Sequence, residues 1–82
     1  MNITEIYEKI RRIVYISRLD PVIECDGERI HIIIHPDDPI ERSRMRKYIS
    51  SFYKDLLDIV KGKYSIKKRR MGDHIEYFIE GH

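Results

Sequence analysis

The sequence predicts an α+β fold in which two helices pack on one face of an antiparallel sheet. Two long segments repeat apolar residues at three- and four-residue spacing, whereas four shorter ones alternate apolar with polar residues around glycine-containing turns. The resulting order is helix-hairpin-helix-hairpin. Because 82 residues suffice for one small core, we expect a single domain over residues 1–82.

The first helix is predicted over residues 3–19. Its apolar stripe consists of Ile3, Ile6, Tyr7, Ile10, Ile13 and Val14. Asn2 is the predicted N-cap, with Glu5 in the position of a capping box. Pro21 disfavours a helical Asp20, which sets the predicted end.

The first hairpin is predicted to turn at Asp26-Gly27, a dipeptide that suits the positive φ angles of a two-residue turn. The cross-strand pairs of this register are Cys25–Glu28, Glu24–Arg29 and Ile23–Ile30. Its apolar face carries Ile23, Cys25, Ile30, Ile32 and Ile34. We therefore expect Cys25 to be a small buried residue rather than a reactive thiol.

The second helix is predicted to start at Pro39, capped by Asp38, and to run to about Val60 before Gly62 stops it. Its core positions are Met45, Ile49, Phe52, Leu56 and Ile59. A second hairpin, with its turn at Met71-Gly72, follows. Its predicted pairs are Ile66–Tyr77, Lys67–Glu76 and Arg69–His74.

Positive charge is concentrated in the second half of the chain. Residues 42–70 hold eleven Lys or Arg against two Asp, a net +9, while the other 53 residues are net −7. This polarisation predicts one basic side that binds nucleic-acid phosphates. The predicted contact residues are Lys67, Lys68, Arg69, Arg70, Arg42, Arg44, Arg46 and Lys47.

No arrangement of residues predicts catalysis. His31 and His35 would stand about 13 Å apart along one strand, and a helix cap accounts for Asp37 and Asp38 without a metal. We therefore expect no enzyme activity, catalytic residue, metal or cofactor. The single cysteine, Cys25, excludes an internal disulfide and is typical of a cytoplasmic protein, and no apolar run is long enough to span a membrane.

Two features leave alternatives open. Ile occurs 16 times and Asn once, a composition typical of thermophilic proteins or of an AT-rich genome. Val22, Ile33 and Phe78 lie on the predicted outer face of the sheet, where they favour a protein-protein surface.

Residues 26–34, Asp37-Asp38 and residues 42–49 resemble the Pcc family of small KEOPS-complex subunits. Arg42 matches an arginine that opens the family's long helix, and Lys47-Tyr48-Ile49 stand where the family has a Ser-Tyr-Leu-like step. The resemblance covers residues 22–61. The chain departs from the family in starting with a helix, in ending with a basic hairpin, and in having Arg46 where the family often has Asn.

The resemblance implies a non-catalytic accessory subunit, in the fifth-subunit role, of the complex that makes threonylcarbamoyladenosine in tRNA. It implies pairing with a related small subunit through the sheet edge from Arg29 to Ile33, and through that subunit contact with the catalytic subunit. The predicted partner residues are Arg29, His31, Ile33, Tyr48 and Phe78. The alternative is a free-standing nucleic-acid-binding protein, such as a small archaeal or viral regulator, acting as a monomer or homodimer.

Overall fold

The computed structural model describes residues 2–17, 19–35 and 39–81, with side chains in the last range described from Ser43 onward. Along these residues run α1 (Ile3–Ile16), β1 (Val22–Cys25), β2 (Arg29–Ile34), α2 (Pro39–Val60), β3 (Tyr64–Arg70) and β4 (Ile75–Gly81). The four strands form one antiparallel sheet in the order β1-β2-β4-β3. The predicted α+β class, with two helices and an antiparallel sheet, is therefore confirmed.

Helix α1 begins as predicted and ends earlier. The Asn2 side-chain oxygen accepts a hydrogen bond from the Glu5 N–H at 2.9 Å, which confirms the predicted cap. At the other end, the Ser17 hydroxyl donates to the Val14 carbonyl at 2.9 Å and accepts from the Leu19 N–H at 3.2 Å. These bonds replace helical ones, so the prediction that α1 continues to residue 19 is wrong.

Helix α2 ends where the sequence predicts. Val60 is its last residue, Gly62 has φ 83°, and the Lys63 N–H donates to the Val60 carbonyl at 3.2 Å. A residue with positive φ just after the helix is a common C-terminal signal, and glycine adopts it without steric cost. The predicted cap Asp38 and its neighbour Asp37 lie outside the described residues.

Both helices cover the same face of the sheet. The two central strands contribute the buried residues Ile30, Ile32, Ile34, Ile75, Tyr77 and Ile79. The helices contribute Ile6, Ile10, Ile49, Phe52, Leu56 and Val60. Burial alternates strictly along β2 and nearly so along β4, which confirms Ile30, Ile32 and Ile34 of the predicted buried face; on β1, Ile23 is only partly buried.

Each hairpin turn lies one residue further along the chain than predicted. In the first, the Asp26 N–H donates to the Arg29 carbonyl at 3.2 Å, so the loop is Gly27-Glu28. In the second, the Met71 N–H donates to the His74 carbonyl at 2.9 Å, so the loop is Gly72-Asp73. Each register is thereby shifted by two residues, which leaves every side chain on its predicted face.

The shift overturns the predicted pairs. In the first hairpin the observed partners are Cys25–Ile30, Glu24–His31 and Ile23–Ile32. In the second they are Ile66–Ile79, Lys67–Phe78 and Arg69–Glu76. The cause in the first hairpin is that the Asp26 carboxylate accepts from the Glu28 and Arg29 N–H groups at 3.0 and 2.9 Å, so that Asp26 closes the turn. The same bonds, with that from Arg29 the stronger influence, lower the pKa of Asp26.

Two further expectations fail because of position in the sheet. Cys25 is exposed rather than buried, since it ends the short edge strand β1 beside the turn. The segment from Arg29 to Ile33 is not a sheet edge, because β2 lies between β1 and β4 and its backbone is paired on both sides. Within the described part of the chain, neither helix is long and apolar enough to cross a membrane.

Candidate nucleic-acid interface

The four consecutive cations of the second hairpin lie within β3 and point to two different faces. Lys68 lies opposite Tyr77 and Arg70 opposite Ile75, on the side that the helices cover. Lys67 and Arg69 alternate with them and lie on the open side of the sheet. The four residues therefore do not share the one basic side that the sequence predicts, and they divide into two pairs.

The helix-side pair joins a cation from α2. Arg46, Lys68 and Arg70 line one surface cavity of about 210 Å³, and we call these three residues the helix-side basic cluster. All three are exposed. Tyr53 and Ser50 also line the cavity, so it combines positive charge with an aromatic ring and a hydroxyl.

One aromatic ring lines the cavity, that of Tyr53, and it packs against the buried Tyr77. The Tyr53 ring lies 5.5 Å from the Tyr77 ring and is tilted from it by 20°, and the Lys68 ammonium lies over the Tyr53 ring, 5.3 Å from its centroid. The contact with Lys68 is a cation–π interaction, which favours the lysine over the ring. Lys68 and Tyr77 both contact the Tyr53 ring.

Tyr77 lies beneath this ring with its hydroxyl buried. Among the described residues, the hydroxyl finds no hydrogen-bond partner. Burial raises the pKa of Tyr77 to about 12, Tyr53 adds to the rise, and Arg70 opposes it. The positive charge of Arg70, which lines the cavity, thus favours the ionised form of the Tyr77 phenol.

The helix-side basic cluster is not neutralised by neighbouring acids. Among the described residues, no carboxylate forms an ion pair with Arg46, Lys68 or Arg70, and none lines the cavity. Arg29 is different, since its guanidinium lies 3.5 Å from Asp26 and 3.8 Å from Glu80. Unpaired cations around a concave surface attract anions.

The other predicted phosphate contacts do not join this cavity. Arg44 and Lys47 are exposed on other sides of α2, and neither contributes to the lining. The side chain of Arg42 lies outside the described residues. The structure therefore brings together three of the eight predicted nucleic-acid-binding residues.

The open face of the sheet carries a network of histidines and carboxylates. The two ring nitrogens of His74 lie 2.7 Å from Asp73 Oδ1 and 2.7 Å from Glu76 Oε1. The other Glu76 oxygen lies 3.4 Å from His31 Nε2, and the His31 ring stacks on Phe78 at 4.5 Å. Glu76 thus contacts both His74 and His31, and the His31 ring stacks on Phe78 on the same open face.

This geometry favours charged groups. Because both nitrogens of His74 face carboxylates, which only accept hydrogen bonds, the protonated ring satisfies both contacts. Asp73 and then Glu76 raise the pKa of His74. In return, His74 lowers the pKa of Asp73 and of Glu76, and His31 lowers that of Glu76 further.

Four of the five predicted partner residues lie together on the open face. Arg29, His31 and Ile33 alternate along the outer side of β2, and Phe78 lies opposite His31 on β4. Tyr48, 41 % exposed, lies on α2 instead, in a groove between the two helices. The sheet face and Tyr48 therefore cannot contact one flat surface.

Tyr53 is the site residue that the sequence-based prediction missed. The spacing of Arg46, Ser50 and Tyr53 on α2 was an available signal, because residues four and three apart share one face of a helix. Their strip lies beside the core stripe and meets β3.

Within the described ranges, no group of three or more His, Cys, Asp or Glu side chains is placed to hold a metal ion. No protein-family model matches the chain, and no curated protein matches it in sequence. The helix-side basic cluster and the open face of the sheet are thus the two surfaces on which a function can be proposed.

Proposed function

We propose that the protein is a non-catalytic nucleic-acid-binding module that uses the helix-side basic cluster. One observation supports this most. Arg46 from α2 and Lys68 and Arg70 from β3 line one cavity, and none of the described residues that line it is acidic. Phosphates bound there release counterions, which makes binding strongest at low salt. Tyr53 adds an aromatic surface of the kind on which bases stack.

The alternation along β3 supplies a matched test. Lys68→Ser with Arg70→Ser removes two charges from the helix side, and Lys67→Ser with Arg69→Ser removes two from the open side of the same strand. We expect the first pair to weaken RNA and DNA binding by roughly tenfold or more and to lower the slope of log affinity against log salt by about two. The measurement is fluorescence anisotropy at several salt concentrations.

The control pair is expected to lose less affinity, because its charges lie away from the cavity. Equal losses from both pairs would show general electrostatic attraction without a preferred surface. A wild-type protein that binds neither RNA nor DNA at low salt would refute the proposed function. Changing all four residues to Ser is expected to give the largest loss.

A second candidate follows from the resemblance to the Pcc family. We propose that the chain, arranged as two helix-hairpin units in a helix-hairpin-helix-hairpin order, is an accessory subunit of the KEOPS tRNA-modification complex in the cytoplasm. In this proposal it pairs with a related small subunit and contacts tRNA. What favours it is the open face, where Ile33, Phe78 and the exposed Val22 offer apolar area.

The two candidates differ in oligomeric state. Light scattering on the 10.0 kDa chain, alone and mixed with a Pcc-type subunit, is expected to show a one-to-one complex if the accessory role is right. Phe78→Asp should then abolish pairing and leave nucleic-acid binding intact, because Phe78 is not in the cavity lining. A chain that ignores the subunit and binds RNA as a monomer or homodimer favours the free-standing protein.

A further inference from the structure

We propose that the cavity beside Tyr53 binds the terminal phosphate monoester of a nucleotide, with the base against the cavity's apolar wall. The inference rests on the proposed nucleic-acid binding and makes it specific. It predicts that the protein recognises the phosphorylated end of a strand, or a free mononucleotide, better than the interior of a strand.

The size of the cavity limits what enters it. Its volume of about 210 Å³ is below the roughly 300 Å³ at which pockets for drug-sized ligands begin. A run of several nucleotides therefore cannot be enclosed. One phosphate with part of its sugar and base is the amount of a nucleic acid that fits.

The charge of the cavity selects the kind of phosphate. A phosphate monoester carries about −1.5 to −2 at pH 7, whereas each phosphodiester of a strand carries a single negative charge. Arg46 and Arg70 offer guanidinium groups, which bind phosphate oxygens in pairs, and Lys68 offers a mobile ammonium. Three cations without a described carboxylate beside them match the dianion better than the monoanion.

The remaining lining suits a base. Ile75 and Met71 form an apolar wall next to the cations, and Met71 is 38 % exposed. A simple inorganic anion would leave this wall in water, whereas a base covers it. The Ser50 hydroxyl lies in the same cavity and can bond a sugar or base oxygen.

Lys68 affects the binding of both the phosphate and the base. Without ligand its ammonium lies 5.3 Å from the centroid of the Tyr53 ring, and such a contact is weak at an exposed site. A doubly charged phosphate competes well for that ammonium. When Lys68 turns toward the phosphate, it uncovers the Tyr53 ring, on which the base can then stack.

The test compares oligonucleotides of one sequence that differ only at their ends. Fluorescence anisotropy is measured for single strands with a 5′-phosphate, a 3′-phosphate or only hydroxyl ends. We expect a terminal phosphate to strengthen binding by roughly tenfold or more, the size of one or two charge-assisted hydrogen bonds. Equal affinity for phosphorylated and hydroxyl ends would overturn the inference.

Variants locate the effect. Lys68→Met with Arg70→Met should abolish the preference for phosphorylated ends, whereas Lys67→Met with Arg69→Met should preserve it at equal charge. Thermal melting of both double variants checks that the fold is intact. A preference that survives the first pair, or disappears equally in both, contradicts a site in this cavity.

Calorimetry with UMP, uridine and inorganic phosphate tests the base. We expect UMP to bind more tightly than either fragment, and Tyr53→Leu to remove the advantage of UMP over phosphate. Phosphate binding as tightly as UMP would refute the base contact. If strands with phosphorylated ends and strands with hydroxyl ends bind with equal affinity, only this inference is overturned. If UMP binds but no RNA or DNA strand does, the mononucleotide site in the cavity is supported and the proposed nucleic-acid-binding function is refuted.

Discussion

The two faces of the sheet are made by the same strands and differ in how far their side chains are buried. On β4, Tyr77 points to the helices and is fully buried, whereas its neighbour Phe78 points to the open side and stays partly exposed. The aromatic residue with a polar end is thus inside, and the purely apolar one is outside. The side chains on the helix-covered face form the hydrophobic core and stabilise the fold. The side chains on the open face are not needed for the core, so they are available to contact other molecules.

Neighbouring isoleucines on β2 give the largest expected difference between the faces. Ile32→Ala removes a side chain with no exposed surface and should lower the free energy of unfolding by about 2–5 kcal/mol. Ile33→Ala, on the open side, should cost below about 1 kcal/mol because its side chain is only partly buried. Urea unfolding measures both.

If Ile32→Ala leaves too little folded protein to measure, Ile32→Val still tests the difference. It should cost about 0.5–1.5 kcal/mol, which exceeds the cost of Ile33→Val. Equal costs on the two faces would mean that the open side is covered in solution, and light scattering would then show an oligomer.

Changes at Tyr77 and Phe78 on β4 should alter the free energy of unfolding by less, and the change at Tyr77 should raise it rather than lower it. Tyr77→Phe removes a buried hydroxyl that has no partner among the described residues, so we expect unfolding to cost about 1 kcal/mol more. Phe78→Tyr, the reverse change on the open side, should be nearly neutral. In an absorbance titration of the wild type, one tyrosine should ionise near pH 12, and Tyr77→Phe should lose that step; destabilisation by Tyr77→Phe would show that the hydroxyl is bonded.

The histidine network should give the smallest effect, and one that depends on pH. The raised pKa of His74 means that its contribution to stability is complete below the ordinary value of 6.5 and is lost as pH rises through the raised value. The lowered pKa values of Asp73 and Glu76 add stability above their ordinary values of 3.8 and 4.5 and lose it as pH falls. The network is therefore strongest between these limits.

We expect His74→Gln to cost more stability at about pH 5.5 than at about pH 8.5, because the contribution of a group with a raised pKa falls as pH rises. Chemical unfolding of both proteins at the two pH values measures the difference. An NMR titration should give His74 a midpoint above 6.5. A cost that is the same at both pH values would show that the ring serves only as packing.

The sequence predicts which face of the sheet a side chain lies on better than it predicts which residues pair across neighbouring strands. Alternation with a period of two assigned Ile30, Ile32 and Ile34 to the core correctly, because a register error of two residues leaves the faces unchanged. The error itself came from the turn. Aspartate and glycine suit a tight turn in either of two positions, and the bonds that the Asp26 carboxylate makes decide between them.

The candidate site was predictable in charge and not in arrangement. A run of basic letters shows that Lys67–Arg70 are cations, and strand periodicity divides them between two faces once β3 is known to extend to Arg70. That Arg46 and Tyr53 meet the inner pair depends on how α2 crosses the sheet. Such a crossing follows from the packing of the whole core, which no local pattern encodes.

The position of β3 at the outer border of the sheet has one more consequence. The outer side of an edge strand offers its backbone to other copies of the chain, and the lysines and arginines of β3 deter that pairing by repulsion. A polyanion that neutralises these side chains also removes the repulsion. If the proposed nucleic-acid binding is right, the complex, rather than the free chain, is therefore expected to aggregate through this edge strand.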